Sequence, residues 1–128
     1  MIFVDTNVLM YAVGRAHPLR DDAREFFREQ VGRRARLVTS AEVLQELLHA
    51  YLPVGRVPTL DSALTLVDGC FADVWPVEPA DVRLARLLVE THPELGARDL
   101  LHVACCRRRE VDEVFTFDRA LAAAFGAQ

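Results

Sequence analysis

Asp5 interrupts the apolar opening "MIFVDTNVLMYA", where a buried strand gives way to a helical-looking segment. Aspartate is disfavoured in strands, so a carboxylate at that junction needs a reason. Asp118 holds the matching place in "VFTFDRAL". Glu46 lies in "TSAEVLQELLHAYL", whose apolar stripe reads Val43, Leu44, Leu47, Leu48 and Tyr51. At about 100° per residue, Glu46 falls roughly 60° beyond Val43, at the margin of the core. Asp99 falls in the first turn of the helix expected after Gly96, in "GARDLLHVACCRRR". Each acid alone has an ordinary explanation: aspartate caps helices, an acid in a first turn suits the helix dipole, and a flanking glutamate can be solvated. Gathered in one crevice, four carboxylates repel each other and call for a cation. An all-oxygen donor set fits Mg²⁺ or Mn²⁺. The chemistry of such a site is phosphodiester hydrolysis, with water activated at the metal.

The elements that position these acids alternate. Residues 2–4, 37–38, 74–77 and 114–117 are short runs rich in β-branched and aromatic side chains, and read as strands. Helical periodicity covers roughly 19–31, 40–52, 60–69, 80–91 and 97–109, with a last helix after Asp118. Buried strands separated by helices predict a parallel α/β sheet. Its functional crevice lies beyond the carboxyl ends of the strands, where Asp5 and Asp118 fall. Residues 53–59, "PVGRVPT", read as the clearest loop. Thr39 and Glu42 have capping-box spacing, which gives Glu42 a structural task. His102 is one turn beyond Asp99 and is expected to be packed or hydrogen-bonded. His49 is expected to be solvated, and His17 and His92, each before a proline, to lie in loops.

The 128 residues suit a single domain, 1–128, and 52% hydrophobic content makes it globular. No apolar run reaches the roughly 18 residues of a membrane helix, and the N-terminus lacks the positive start of a signal peptide. Three cysteines, two of them adjacent, form neither a disulfide framework nor a zinc spacing, which points to reduced thiols and the cytoplasm. The net charge of −4 argues against polyanion binding by bulk charge. Two local arginine clusters, Arg33, Arg34 and Arg36, and Arg107, Arg108 and Arg109, are the candidate phosphate contacts. For the second, a solvated, dipole-favoured helix end is the alternative. Every basic side chain is arginine. The missing lysine weighs against receiver-domain or haloacid-dehalogenase-type phosphoryl chemistry, which typically needs one.

With these residues in order, the sequence resembles PIN-domain ribonucleases, most closely the VapC toxins of bacterial toxin–antitoxin pairs. "FVDTNVLMYA", "TSAEVLQELLHAY", "ARDLLHVACC" and "VFTFDRAL" resemble the family's four acidic motifs, and the match spans nearly the whole chain. The resemblance implies a PIN-like three-layer α/β fold, with a short parallel sheet of about four to five strands flanked by helices. It implies Mg²⁺ or Mn²⁺ at Asp5, Glu46, Asp99 and Asp118, with Thr116 orienting a carboxylate or water and Asn7 near the first acid. It implies cleavage of structured RNA, a homodimer, and a cognate VapB-like antitoxin that blocks the site. The apolar segments near 40–52 and 60–69 are expected to supply the dimer contact and an antitoxin groove. The alternative is a PIN-like module that binds RNA or protein without cutting.

Overall fold

The computed structural model describes residues 1–126. Four parallel strands, β1 (Ile2–Val4), β2 (Leu37–Ser40), β3 (Asp73–Trp75) and β4 (Val114–Phe115), lie in the order β3-β2-β1-β4. Seven helices connect and flank them: α1 (Thr6–Ala12), α2 (Pro18–Gly32), α3 (Ala41–Tyr51), α4 (Val57–Cys70), α5 (Pro79–Leu88), α6 (Ala97–Arg108) and α7 (Arg119–Gly126). The expected α/β class holds, with four strands.

The sheet is small because its strands are short, and its centre is sealed. Phe3, Val4 and Val38 are fully buried and Leu37 nearly so. Phe26 of α2 stacks on Phe115 of β4 with ring centroids 3.9 Å apart. Because all pairings are parallel, the carboxyl ends of β1 and β4 share one edge. The Asp5 N–H donates to the Phe115 carbonyl at 3.0 Å, holding those two ends together.

Two local expectations need correction. Residues 53–59 are not a loop: Leu52–Val54 form a 3₁₀ turn and α4 begins at Val57. Proline is tolerated in a first helical turn, where its absent N–H would be unpaired anyway, so Pro58 sits in the first turn of α4 and does not break it. The reversal is made at Gly55, whose φ of 68° is left-handed. Thr39 and Glu42 do not form a capping box. Ser40 is the N-cap of α3, and the Thr39 hydroxyl donates to the Val4 carbonyl between strands at 3.1 Å. The capping box is at α5, between Glu78 and Asp81. His17 and His92 lie outside helix and strand, as expected: His17 is the N-cap of α2, accepting from the Leu19 N–H at 3.0 Å, and His92 is buried beside Glu94.

Candidate active site

The chain leaves β1 in extended conformation at Asp5, which caps α1. Its Oδ1 accepts from the Thr6 N–H at 2.8 Å and its Oδ2 from the Thr116 hydroxyl at 2.7 Å. Thr116 follows β4 and is itself held. It accepts from the Asn7 amide at 3.3 Å and the Asp118 N–H at 3.0 Å. The Asn7 carbonyl oxygen in turn accepts from the Phe117 N–H at 3.3 Å. The first and last acidic motifs are therefore knitted together by one hydroxyl and one amide.

Glu46 enters from α3. Its Oε2 accepts from the Thr6 hydroxyl at 2.6 Å, and its Oε1 lies 2.8 Å from His102 Nε2. That approach is an ion-pair contact without hydrogen-bond alignment, so the buried Oε1 keeps a lone pair without an aligned donor. His102 is fully buried against Phe3, and its Nε2 is also 3.7 Å from Asp5 Oδ1. It stands behind the carboxylates. Asp99 is its neighbour one turn back on α6, yet His102 Nε2 faces Glu46 and Asp5.

Asp99, in the first turn of α6, and Asp118, before α7, complete the ring. Asp118 is also a helix cap, its Oδ1 accepting from the Ala120 and Leu121 N–H groups at 2.9 and 3.1 Å. The two readings of that residue are thus compatible, because Oδ2 is not engaged in the cap. All four acids line one cleft of about 260 Å³, together with Arg98 and His49. Those two were not singled out as site residues from the sequence. His49 is exposed as expected, yet it is one turn beyond Glu46, and i,i+3 neighbours share a helix face.

The electrostatics report crowding. Burial pushes the Asp5 carboxyl above its ordinary range, more than His102, Thr116 and Thr6 pull it down. Asp99 is also raised, first by burial and then by the charges of Asp5 and Asp118. Burial pushes Glu46 up too, but His102, Thr6 and Arg98 outweigh it and hold its carboxyl low. For His102, burial favours the neutral ring, and Glu46, Asp5 and Asp99 overcome it, so its pKa is raised. Four carboxylates line the cleft, and ligand atoms of Asp5, Glu46 and His102 lie within 4.8 Å of one another, an arrangement that suits a hard divalent cation.

Neither sequence-marked arginine cluster reaches this cleft. Arg33, Arg34 and Arg36 precede β2, at the opposite end of the strands, and Arg36 pairs with Asp73. Arg108 is nine residues beyond Asp99, about 13 Å along the helix at 1.5 Å per residue. Arg108 and Arg109 clasp the fully buried Asp81 at 2.7 and 2.9 Å, and the Arg109 guanidinium lies 5.2 Å over Trp75. Their task is structural. Arg98 is the arginine at the cleft.

A short parallel sheet with four acids converging at its carboxyl edge defines a PIN domain, and the PIN-domain family model matches residues 2–125. The chain belongs to this family, and within it to the VapC ribonucleases. Ribonuclease VapC23 of Mycobacterium tuberculosis is 65% identical over 125 residues, covering 98% of each chain. Ribonuclease VapC13 of the same organism is 38% identical, covering 93% of this chain and 91% of its own. Among solved structures, M. tuberculosis VapC20, described as a sarcin–ricin loop cleaving toxin, superposes with a TM-score of 0.79 at 20% identity, covering 97% and 95% of the two chains. A chain of VapBC2 from Rickettsia felis, bound to a promoter DNA fragment, gives 0.73 at 17% identity, covering 96% and 92%. At those identities the structural likenesses speak for the fold.

Proposed function

We propose that this chain is a metal-dependent endoribonuclease and the toxin of a toxin–antitoxin pair. The observation that carries the reading is the convergence of Asp5, Glu46, Asp99 and Asp118 on one cleft. Burying and crowding carboxylates is costly, and a module that only bound RNA would gain nothing from it. In this reading those four residues hold Mg²⁺ or Mn²⁺, which when bound lowers the pKa of water and offsets charge on the phosphate. Thr6, Thr116 and His102 fix the carboxylates. Hydrolysis forms one P–O bond from water and breaks one ester P–O bond, with a proton passing to the leaving oxygen. Arg98 sets positive charge, and His49 a ring nitrogen, on a wall that carries four carboxylates, so the phosphate meets the Arg98 guanidinium as it enters.

VapC20 is described as cutting the sarcin–ricin loop, and structured RNA of that kind is the substrate class proposed here. The partner is a VapB-like antitoxin, as in the VapBC2 assembly. A second copy is expected on the apolar surface near the α3–α4 turn. No helix among the described residues is long and apolar enough to cross a membrane, which accords with action in the cytoplasm.

The deciding experiment is to induce the chain in a bacterial host and sequence the new RNA 5′ ends, with an Asp99→Asn strain alongside. New ends at a fixed site, absent in the variant, are expected. The same RNA ends in both strains would refute the enzymatic reading.

A further inference from the structure

Beside the acidic cleft lies a second concavity of about 770 Å³, lined in part by Tyr11, Arg15, His17, Tyr51 and Arg56. Asn7 and Met10 line both, so the two are adjacent. We propose that this pocket is a nucleobase subsite, receiving a base of the RNA strand next to the phosphate being cut. The inference rests on the ribonuclease reading and names how that same site grips its substrate.

The wall is aromatic. Tyr11 and His17 tilt against each other with centroids 5.0 Å apart, and the Tyr11 ring is braced edge-on by Phe117 at 5.6 Å. Phe117 immediately precedes Asp118, and Tyr11 belongs to the helix that Asp5 caps. The aromatic faces are therefore fixed to the elements that carry the acids. Stacking on aromatic faces is how proteins hold unpaired bases. The rim is cationic. Arg15 lies at the pocket, and Arg56 is held over the Tyr51 ring at 6.0 Å. A polyanion approaching four carboxylates needs compensating charge close by, and Arg15 and Arg56 provide it on this side of the cleft, with Arg98 lining the cleft itself. Bases on the aromatic wall and phosphates on the arginines fit single-stranded RNA better than an apolar protein helix.

The chain contains two methionines, Met1 and Met10. Met10 sits where cleft and pocket meet, so ¹³C-methyl methionine reports on the site without altering it. The test uses the cleavage-impaired Asp99→Asn chain with Mg²⁺ and three probes: hexauridylate, hexaadenylate, and an abasic ribose–phosphate hexamer of equal charge. The base-bearing hexamers are expected to bind about tenfold tighter than the abasic one, the scale of one stacked base. They should move the Met10 methyl by ring current and leave Met1 in place. Tyr11→Leu should erase the advantage. Equal affinity for the abasic hexamer, no saturable binding, or an unmoved Met10 methyl at saturation overturns the subsite. So does a Met10 methyl that responds to the co-expressed partner protein but to no hexamer. If wild-type protein cuts cellular RNA while Met10 stays silent, the subsite alone fails. If it cuts no RNA, the ribonuclease reading fails first.

Discussion

Thr116 donates its hydroxyl proton to Asp5 Oδ2 across 2.7 Å, joining the ends of two neighbouring parallel strands. The hydroxyl cannot rotate away, because the Asn7 amide and the Asp118 N–H both point at its oxygen. Thr116→Val keeps the shape and removes the donor. Losing one hydrogen bond to a buried carboxylate is expected to cost about 1–2 kcal/mol in stability. RNA cleavage should fall roughly 10- to 100-fold, as for other groups that orient a metal ligand. Thr116→Ser should restore most of the rate. A Val variant as fast as wild type in single-turnover assays would remove Thr116 from the machinery.

The raised pKa of Asp99 has a consequence for the cation. Ionised Asp99 is disfavoured in the fold, so at neutral pH its charge opposes folding when no metal is bound. Asp99→Asn should therefore leave the thermal midpoint in chelator unchanged or higher, while abolishing cleavage. In wild type, Mg²⁺ at a hundredfold over its Kd should add about 2.7 kcal/mol of stability, and chelator should remove it. The variant should show a much smaller gain. Cleavage undiminished in Asp99→Asn, or in wild type with excess chelator, refutes the metal assignment.

The acids were legible in the sequence because each occupies a position that periodicity can locate: two at strand ends, one on a stripe's flank, one in a first turn. That Asp5 and Asp118 meet followed from parallel topology, since every strand of such a sheet ends at the same edge, whereas Glu46 and Asp99 reach the cleft through the packing of α3 and α6. Side-chain partnerships were not legible. His102 has Asp99 at i−3 but points at Glu46, 56 residues away in sequence. Thr39 and Glu42 match a capping box, but Thr39 is needed between strands, where its hydroxyl bonds the Val4 carbonyl. The arginines' partners were hidden for a similar reason. Composition shows a cluster's charge, while only the fold shows that Arg108 and Arg109 are engaged with Asp81 and Glu78.

That acid–arginine corner predicts a pH response. Burial pushes Asp81 up, but hydrogen bonds from Arg109, the Glu78 backbone and Arg108 outweigh it and hold its carboxyl well below the usual range. A depressed folded-state pKa means the stabilisation is complete above the unfolded value of about 3.9 and is lost as pH falls further. Urea midpoints of wild type should thus drop more steeply below about pH 4 than those of Asp81→Asn. At neutral pH, Asp81→Asn should cost about 3 kcal/mol, because it leaves two arginines over a buried neutral amide. Parallel pH profiles for the two proteins would show that the corner contributes nothing through charge.

The same geometry separates two arginines in RNA binding. Arg98 lines the cleft, whereas Arg107 sits at the far end of the same helix. Arg98→Gln should weaken RNA binding and lower the slope of log K against log salt by about one unit. Arg107→Gln should leave the slope unchanged. The reverse outcome would return phosphate contact to the helix end marked by the sequence.

The final prediction concerns a second copy. Leu48 was expected on the buried stripe of α3, yet it is 41% exposed. It continues into Leu52 at 52%, Val54 at 65% and Val57 at 46%, all within the turn from α3 to α4. Isolated exposed apolar residues are ordinary, but several close together on one turn are what a contact surface for a second copy would present. The core does not need these side chains, since Val43, Leu47, Tyr51 and Leu60 already face inward. Replacing Leu52 and Val57 with Glu should therefore leave the thermal midpoint nearly unchanged at low concentration while dissociating a dimer. Sedimentation at tens of micromolar is expected to give twice the mass of 14.4 kDa for wild type and the single mass for the double variant. A wild-type monomer at that concentration would leave the turn to a different partner. A variant that unfolds would show instead that the turn supports the fold, because its exposed residues would then be part of the stability of α3 and α4.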